Sequence, residues 1–238
     1  MKHSTALVTG ANKGIGKEIA RLLIAAGMTV HVGSRDTERG RRAVEELGGD
    51  ARLVRLDVTD SACIAEAAGT VSTLDVLVNN AGLSDSFAEA PDSGAEEFRR
   101  VHETNVFGVL EVTNAFLPAL RRSDHPRVVN VSSGTGSLTW STNTNPRFAT
   151  GGGGAAAYRT SKAALNALTV LHAQSLSGEG FKVNALAPGL RATELNDRAA
   201  SDGGDPAEAA EQAVRLALLD DDGPSGEFFS WDGTTVPW

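Results

Sequence analysis

One tyrosine occurs in the chain, and it stands four residues before a lysine, in Tyr158-Arg159-Thr160-Ser161-Lys162. On a helix running from Ala155 to Ser175 the two side chains project from one face, a turn apart. A nearby ammonium favours the ionised form of a phenol, so Lys162 is expected to draw the Tyr158 pKa down from its usual value of about 10. That would make the phenol a proton donor or acceptor near neutral pH. The same pair on a plain exposed helix face would do no chemistry, so its meaning depends on what the chain brings to it.

A second group lies near the start. Thr9-Gly10-Ala11-Asn12-Lys13-Gly14-Ile15-Gly16 separates a short apolar run, Thr5 to Thr9, from a segment with Ile19, Leu22, Leu23 and Ala26 at helical spacing. Strand, glycine loop and helix in that order form a phosphate site. Glycines allow a tight turn and close backbone approach, and the helix N-terminus offers unpaired N–H groups to a pyrophosphate. Gly10, Asn12, Lys13, Gly14, Ile15 and Gly16 are the expected contacts. After the next strand comes Ser34-Arg35-Asp36. An arginine here accommodates a ribose 2′-phosphate, whereas an acidic side chain holds a ribose 2′-OH. Arg35 together with Lys13 predicts NADP(H). Asp36 stands against this as a ribose ligand, or as the partner of Arg35 in a weak surface pair.

The elements that must position these groups alternate along the chain. Strand-like runs occur at Thr5 to Thr9, Val30 to Val32, Arg52 to Leu56, Leu74 to Asn79, Arg127 to Val131, Phe181 to Ala187 and Glu227 to Ser230. Helical patterns lie between them, at Lys17 to Ala26, Thr37 to Leu47, Ser61 to Val71, Ala95 to Leu120, the Tyr158 segment and Pro206 to Leu219. This alternation implies parallel pairing with right-handed crossovers, hence an α/β, doubly wound (Rossmann) fold with a seven-stranded parallel sheet covered by helices on both faces. Ligands of such sheets lie beyond the carboxyl ends of the strands. Gly10, Ser34, Asp57, Asn79, Ser132-Ser133 and Pro188-Gly189 all fall there, on one edge.

The 238 residues form one domain, 1–238, of which 41% are hydrophobic. A formal net charge of −8 without a basic cluster argues against nucleic-acid and anionic-membrane partners. Cys63 is single, which suits a reducing compartment, and no apolar stretch reaches the ~20 residues of a membrane span, so a cytoplasmic location is expected. The five histidines show no metal-ligand spacing, and no metal is expected. The Thr-, Asn- and Gly-rich segment Thr139 to Gly154, ending in four consecutive glycines, reads as a mobile surface loop.

The glycine loop, Asn79-Asn80-Ala81-Gly82, Ser133, Tyr158 with Lys162, and Pro188-Gly189 occur in the order of the short-chain dehydrogenase/reductase family, and the chain resembles that family over its whole length. Gly10 to Gly16, Ser34-Arg35-Asp36, Leu74 to Gly82 and Val128 to Ser133 are most similar to its carbonyl-reductase-like members. The resemblance implies that Asp57 and Val58 hold adenine and that Asn79, Ala81 and Gly82 wall the cofactor. It also implies that Pro188, Gly189 and Thr193 bracket the nicotinamide. Asn105, Ser133, Tyr158 and Lys162 would be catalytic. Asn105 would prop a proton-relaying water, Ser133 would bond the substrate carbonyl, Tyr158 would be the general acid or base, and Lys162 would hold the nicotinamide ribose. The implied reaction is hydride transfer between NADP(H) and a carbonyl or secondary alcohol. Its rivals are a ketoacyl or polyketide-type ketoreductase and a non-catalytic NADPH sensor.

Two departures stand out. The family places valine or isoleucine two residues before the threonine, whereas this chain reads Leu190-Arg191-Ala192-Thr193. That leaves the carboxamide contact to the backbone. The Ser133–Tyr158 spacing is also longer than in most members, an insertion around 135–154 beside the substrate loop around 190–205. Such an insertion shapes specificity or blocks assembly, so both a homo-oligomer and a monomer stay open. The partner expected is a small carbonyl or alcohol substrate.

Overall fold

A computed structural model describes residues 4–84, 86–144 and 153–238. Asp85 and most of the glycine-rich part of the insertion, Gly151 and Gly152 included, lie outside the described residues. The expectation of a mobile loop falls largely there.

Seven strands form one sheet in the order β3-β2-β1-β4-β5-β6-β7. They are β1 (Thr5–Val8), β2 (Thr29–Ser34), β3 (Ala51–Arg55), β4 (Val76–Asn79), β5 (Arg127–Val131), β6 (Lys182–Ala187) and β7 (Phe228–Ser230). Every neighbouring pair is parallel. The period-two alternation of side chains divides the strands between two cores. Ala6, Val8, Val76, Val78, Val129 and Val131 face one, and Leu7, Leu77 and Val128 face the other. With both faces covered, the strands read as continuous apolar runs rather than as alternating ones.

Helices α1 (Gly14–Ala25), α2 (Thr37–Leu47) and, near the end of the chain, α8 (Pro206–Ala217) cover the first face. Ile19, Leu23, Ala43, Ala213 and Leu216 insert there. On the other face lie α3 (Ser61–Thr70), α5 (Gly108–Leu120) and α6 (Ala156–Ser175), with Ile64, Val112, Phe116, Leu120 and Ala173 inside. The stretch expected as one helix from Ala95 to Leu120 is α4 (Ala95–His102), a π-helical turn Glu103–Phe107, and α5 in direct succession. The turn widens the helix where Asn105 points inward, a feature common at functional sites. A short helix α7 (Asp197–Asp202) lies within the loop expected at 194–204, capped by Asn196, whose side chain accepts from Ala199 N. Its sequence has no apolar period to announce it. No helix of the described residues is long and apolar enough to cross a membrane.

Buried amides tie the layers beneath the sheet's carboxyl edge. Asn79 Nδ2 donates to Thr113 Oγ1 of α5 at 3.0 Å and to Asn130 Oδ1 of β5 at 2.8 Å. Asn130 Nδ2 donates to Thr169 Oγ1 of α6 at 2.9 Å, and that hydroxyl donates to Leu165 O. The helix that carries Tyr158 is thereby fixed to the sheet by a directional contact as well as by apolar packing. Asn130→Ala would remove one of the two hydrogen-bond partners of Asn79 Nδ2 and of Thr169 Oγ1 in the core. A loss of about 1–3 kcal/mol of folding stability is expected, measured by urea unfolding.

Candidate active site

The loops at the carboxyl edge enclose a cleft of about 390 Å3. Its phosphate end is built by glycine. Gly10 (φ +63°) and Gly14 (φ +55°) occupy conformations that side chains disfavour. Gly16 is required by proximity, since a Cβ there would lie 2.3 Å from Asn80 Nδ2 and 2.8 Å from Gly10 O. Helix α1 starts without a side-chain cap and without an acidic residue in its first turn, so its positive end is left to a ligand. Asn80, overlooked by the sequence reading, stitches this loop to the one after β4. Its Nδ2 donates to Thr9 O at 2.9 Å, and its backbone N–H donates to Thr9 Oγ1 at 2.9 Å, as does that of Ala81.

At the far phosphate end Lys13, Arg35 and Arg39 line the cleft together. The Asp36 carboxylate caps α2, accepting from Arg39 N at 3.0 Å, and pairs with Arg39 Nε at 3.4 Å. The backbone hydrogen bond from Arg39 holds its pKa below the usual carboxylate value. Asp36 lines the cleft as well, and its charged partner in the structure is Arg39 rather than Arg35. Lys13 Nζ meets Glu194 Oε2 at 2.7 Å, a partner that nothing in the spacing announced. Asp57 and Val58, expected to hold adenine, line the cleft with Leu56 and Thr59, and the Asp57 carboxylate accepts from Thr59 N at 3.0 Å and Thr59 Oγ1 at 2.8 Å.

Tyr158 and Lys162 line the same cleft with Ile15, Ala81, Gly82, Pro188 and Thr193; Leu195 of the substrate loop joins them, as does Thr104, which was not foreseen. Ser133, whose Oγ shares a hydrogen bond with Thr135 Oγ1 at 2.9 Å, stands close enough to the Tyr158 phenol to lower its pKa. Lys162 is 4% exposed; its Nζ donates to Val131 O at 2.8 Å and lies 5.7 Å from the centre of the Tyr158 ring. Asn105 lies behind this wall with every polar atom of its side chain engaged. Its Oδ1 accepts from Leu83 N at 2.8 Å, and its Nδ2 donates to Leu83 O and to Ser161 Oγ, both at 2.9 Å. Ser161 in turn donates to Tyr158 O at 2.7 Å, so Asn105 holds the first turn of the Tyr158 helix. Asn79 is not on the cleft wall; it belongs to the buried network already described. Gly189 is also off the wall, and a Cβ on it would come within 3.1 Å of Trp231. Ser132 is buried, donates to Asn166 Oδ1 and lines the cleft, whereas Ser133 is not among the lining residues.

One expectation is reversed. Burial pushes the Tyr158 phenol up to about 12, opposed by the nearby Ser133, and burial pulls Lys162 down to about 8. The ammonium bonds a carbonyl rather than the phenol oxygen, and loss of water disfavours the charged form of both groups. Among the described residues no group of histidine, cysteine and carboxylate side chains suits a metal.

A parallel doubly wound sheet, a glycine loop at an open helix N-terminus and a Tyr–Lys pair in the same cleft define a dinucleotide-binding α/β domain. A family model described as short chain dehydrogenase matches residues 4–203. Salutaridine reductase of Papaver bracteatum is 35% identical over 96% of this chain and 94% of its own length. A (+)-neomenthol dehydrogenase of Arabidopsis thaliana is 35% identical over 94% of this chain and 95% of its own. Among solved structures, NADPH-bound carbonyl reductase from chicken fatty liver superposes with a TM-score of 0.84 at 27% identity, covering 100% of both chains. The chain belongs to the short-chain dehydrogenase/reductase family and is an oxidoreductase of that family, which uses a nicotinamide cofactor.

Because Tyr158 is the single tyrosine, its ionisation is readable by absorbance. The folded state keeps a proton that the unfolded chain releases above about 10, so this group's contribution to stability falls as pH rises from there toward 12. Ligand-free protein should show no tyrosinate signal until pH is well above 10. Half-ionisation at or below pH 10 would contradict the burial argument.

Proposed function

We propose that the cleft holds NADP(H) and that the protein transfers hydride between it and a carbonyl or secondary alcohol. The observation that carries this reading is Tyr158 beside Lys162, 5.7 Å from ring centre to ammonium, in the cleft that the glycine loop opens, with Ser133 near enough to act on the phenol. The bound cofactor supplies the hydride. Ser133 donates to the substrate oxygen, and Tyr158 passes its proton there as negative charge develops. A phenol held protonated at neutral pH is the form needed for reduction. Lys162, near Tyr158 and the expected ribose position, binds the ribose and favours the tyrosinate left behind. Asn105 positions the turn that carries Tyr158.

For the 2′-phosphate, Arg35 and Arg39 flank the cleft while Lys13 exchanges Glu194 for the phosphate. The Asp36 carboxylate, engaged by Arg39 N and Nε, is partly neutralised at that end of the cleft. Exposed Phe87, Leu138, Leu190 and Trp231 stand on segments beyond β4, β5, β6 and β7. Exposed apolar side chains on these four segments suit an uncharged ketone better than a charged acyl carrier. The names of the relatives, a reductase of salutaridine and a dehydrogenase of neomenthol, agree with carbonyl–alcohol chemistry.

The test is oxidation of NADPH and NADH with panels of ketones, aldehydes, quinones and acyl thioesters. Turnover with apolar ketones and a lower KM for NADPH are expected. Arg35→Ala should raise KM for NADPH by about tenfold, as loss of a charge-assisted contact implies, and leave that for NADH unchanged. A preference for NADH, or tight NADPH binding without turnover on any substrate, would overturn the reading.

A further inference from the structure

The segment after β6 is fastened by one buried cation at the position where the family pattern has valine or isoleucine. The Arg191 side chain is 5% exposed. Its Nε donates to Pro188 O at 2.6 Å, its Nη1 donates to Glu208 Oε2 in the first turn of α8, and its guanidinium lies 4.4 Å from the centre of a Trp231 ring. One fork thus joins the turn after β6, the start of α8 and the turn after β7. The backbone closes around it. Arg191 bridges Gly204 in parallel fashion, Gly204 N donates to Leu190 O at 3.0 Å, and Ala192 N donates to Gly204 O at 2.8 Å. The two glycines make this closure possible. A Cβ on Gly204 would lie 2.8 Å from Arg191 Nη1, and one on Gly203 would lie 2.1 Å from the backbone of Ala192.

The loop closed in this way, 192–203, carries Thr193, Glu194 and Leu195 into the cleft. Asn196 Nδ2 ties it to Ser84 Oγ at 3.3 Å. Thr193 packs over the phosphate loop, its Cγ2 3.1 Å from where a Gly14 Cβ would stand. A guanidinium suits this place because it is planar and gives several directed donors while stacking on an indole; a lysine gives a point charge. Once buried, it needs all its partners.

We infer that Arg191 is a positioning residue. It pins the base of the 192–203 loop and so sets how closely Thr193 and Leu195 approach the pyrophosphate and nicotinamide half of the cleft, leaving the Arg35 half alone. The second part rests on the NADP(H) reading above; the pin itself does not. Hydrogen exchange of the full-length protein tests the pin, and ligand affinity tests its reach. In Arg191→Met, exchange across 192–203 should accelerate by about tenfold or more while β5 and β6 stay protected. The dissociation constant of NADPH should rise about tenfold, that of 2′,5′-ADP, which fills only the adenosine half, should stay within about twofold, and kcat for a ketone should fall. Arg191→Lys should restore part of the loss. Should Arg191→Met fail to fold, Glu208→Gln, at the half-exposed partner, should give the same pattern at smaller size. Unchanged exchange in 192–203, or equal weakening of NADPH and 2′,5′-ADP, overturns the inference. Accelerated exchange in a protein whose wild type binds neither ligand upholds the pin and overturns the cofactor reading.

Discussion

The structure depends on keeping one ammonium out of water. Lys162 is buried where α6 crosses β5, and its nitrogen has a backbone carbonyl, Val131 O, as its hydrogen-bond acceptor. Burying a cation on so little costs stability, which is why its pKa falls to about 8. A fold keeps such a group only when its surroundings fix it. Here they do: Ser132 Oγ donates to Lys162 O and to Asn166 Oδ1, and Gly136 passes so close that a Cβ would meet the Lys162 backbone at 2.8 Å. Between about pH 8 and 10.5 the unfolded chain binds more protons at this residue than the folded one, so this group's penalty is relieved as pH rises through that window. Stability has been given up where chemistry needs a cation close to a phenol.

The same edge is assembled from separate strand ends held by polar contacts. Thr9 and Asn80 join the loops after β1 and β4. Asn105 joins the loop after β4 to Ser161 on α6. Arg191 joins the turn after β6 to α8 and to Trp231 after β7. Each contact spans a gap that apolar packing in the sheet does not reach, and together they give the cleft defined walls at both the phosphate end and the tyrosine end.

Much of this was legible in the chain. The strands show as apolar runs because a parallel sheet is covered on both faces, and the glycine loop shows because Gly10 and Gly14 need positive φ and Gly16 needs proximity. Of Asn105, Ser133, Tyr158 and Lys162, the residues that the family pattern singles out, Tyr158 and Lys162 line the cleft, and Asn105 stands behind its wall, bonded through Ser161 to the Tyr158 turn. What the chain hid follows from long-range contact. Spacing says that Tyr158 and Lys162 share a helix face but not how much water either keeps, so the direction of the phenol shift came out reversed. The sequence pairs Asp36 with Arg35 or with a ribose, and nothing in it shows that the carboxylate caps α2 and meets Arg39. Glu194 lies far from Lys13 in sequence, and Arg191 reads as a departure from a motif until Glu208 and Trp231 are brought to it.

The central claim is that Tyr158 delivers the proton. The most direct measurement compares Tyr158→Phe with wild type in NADPH affinity and in turnover on a reducible ketone. The account predicts affinity within about twofold and turnover lower by the ~10²–10⁴ typical of a lost general acid. Turnover equal to wild type in the phenylalanine variant would contradict it.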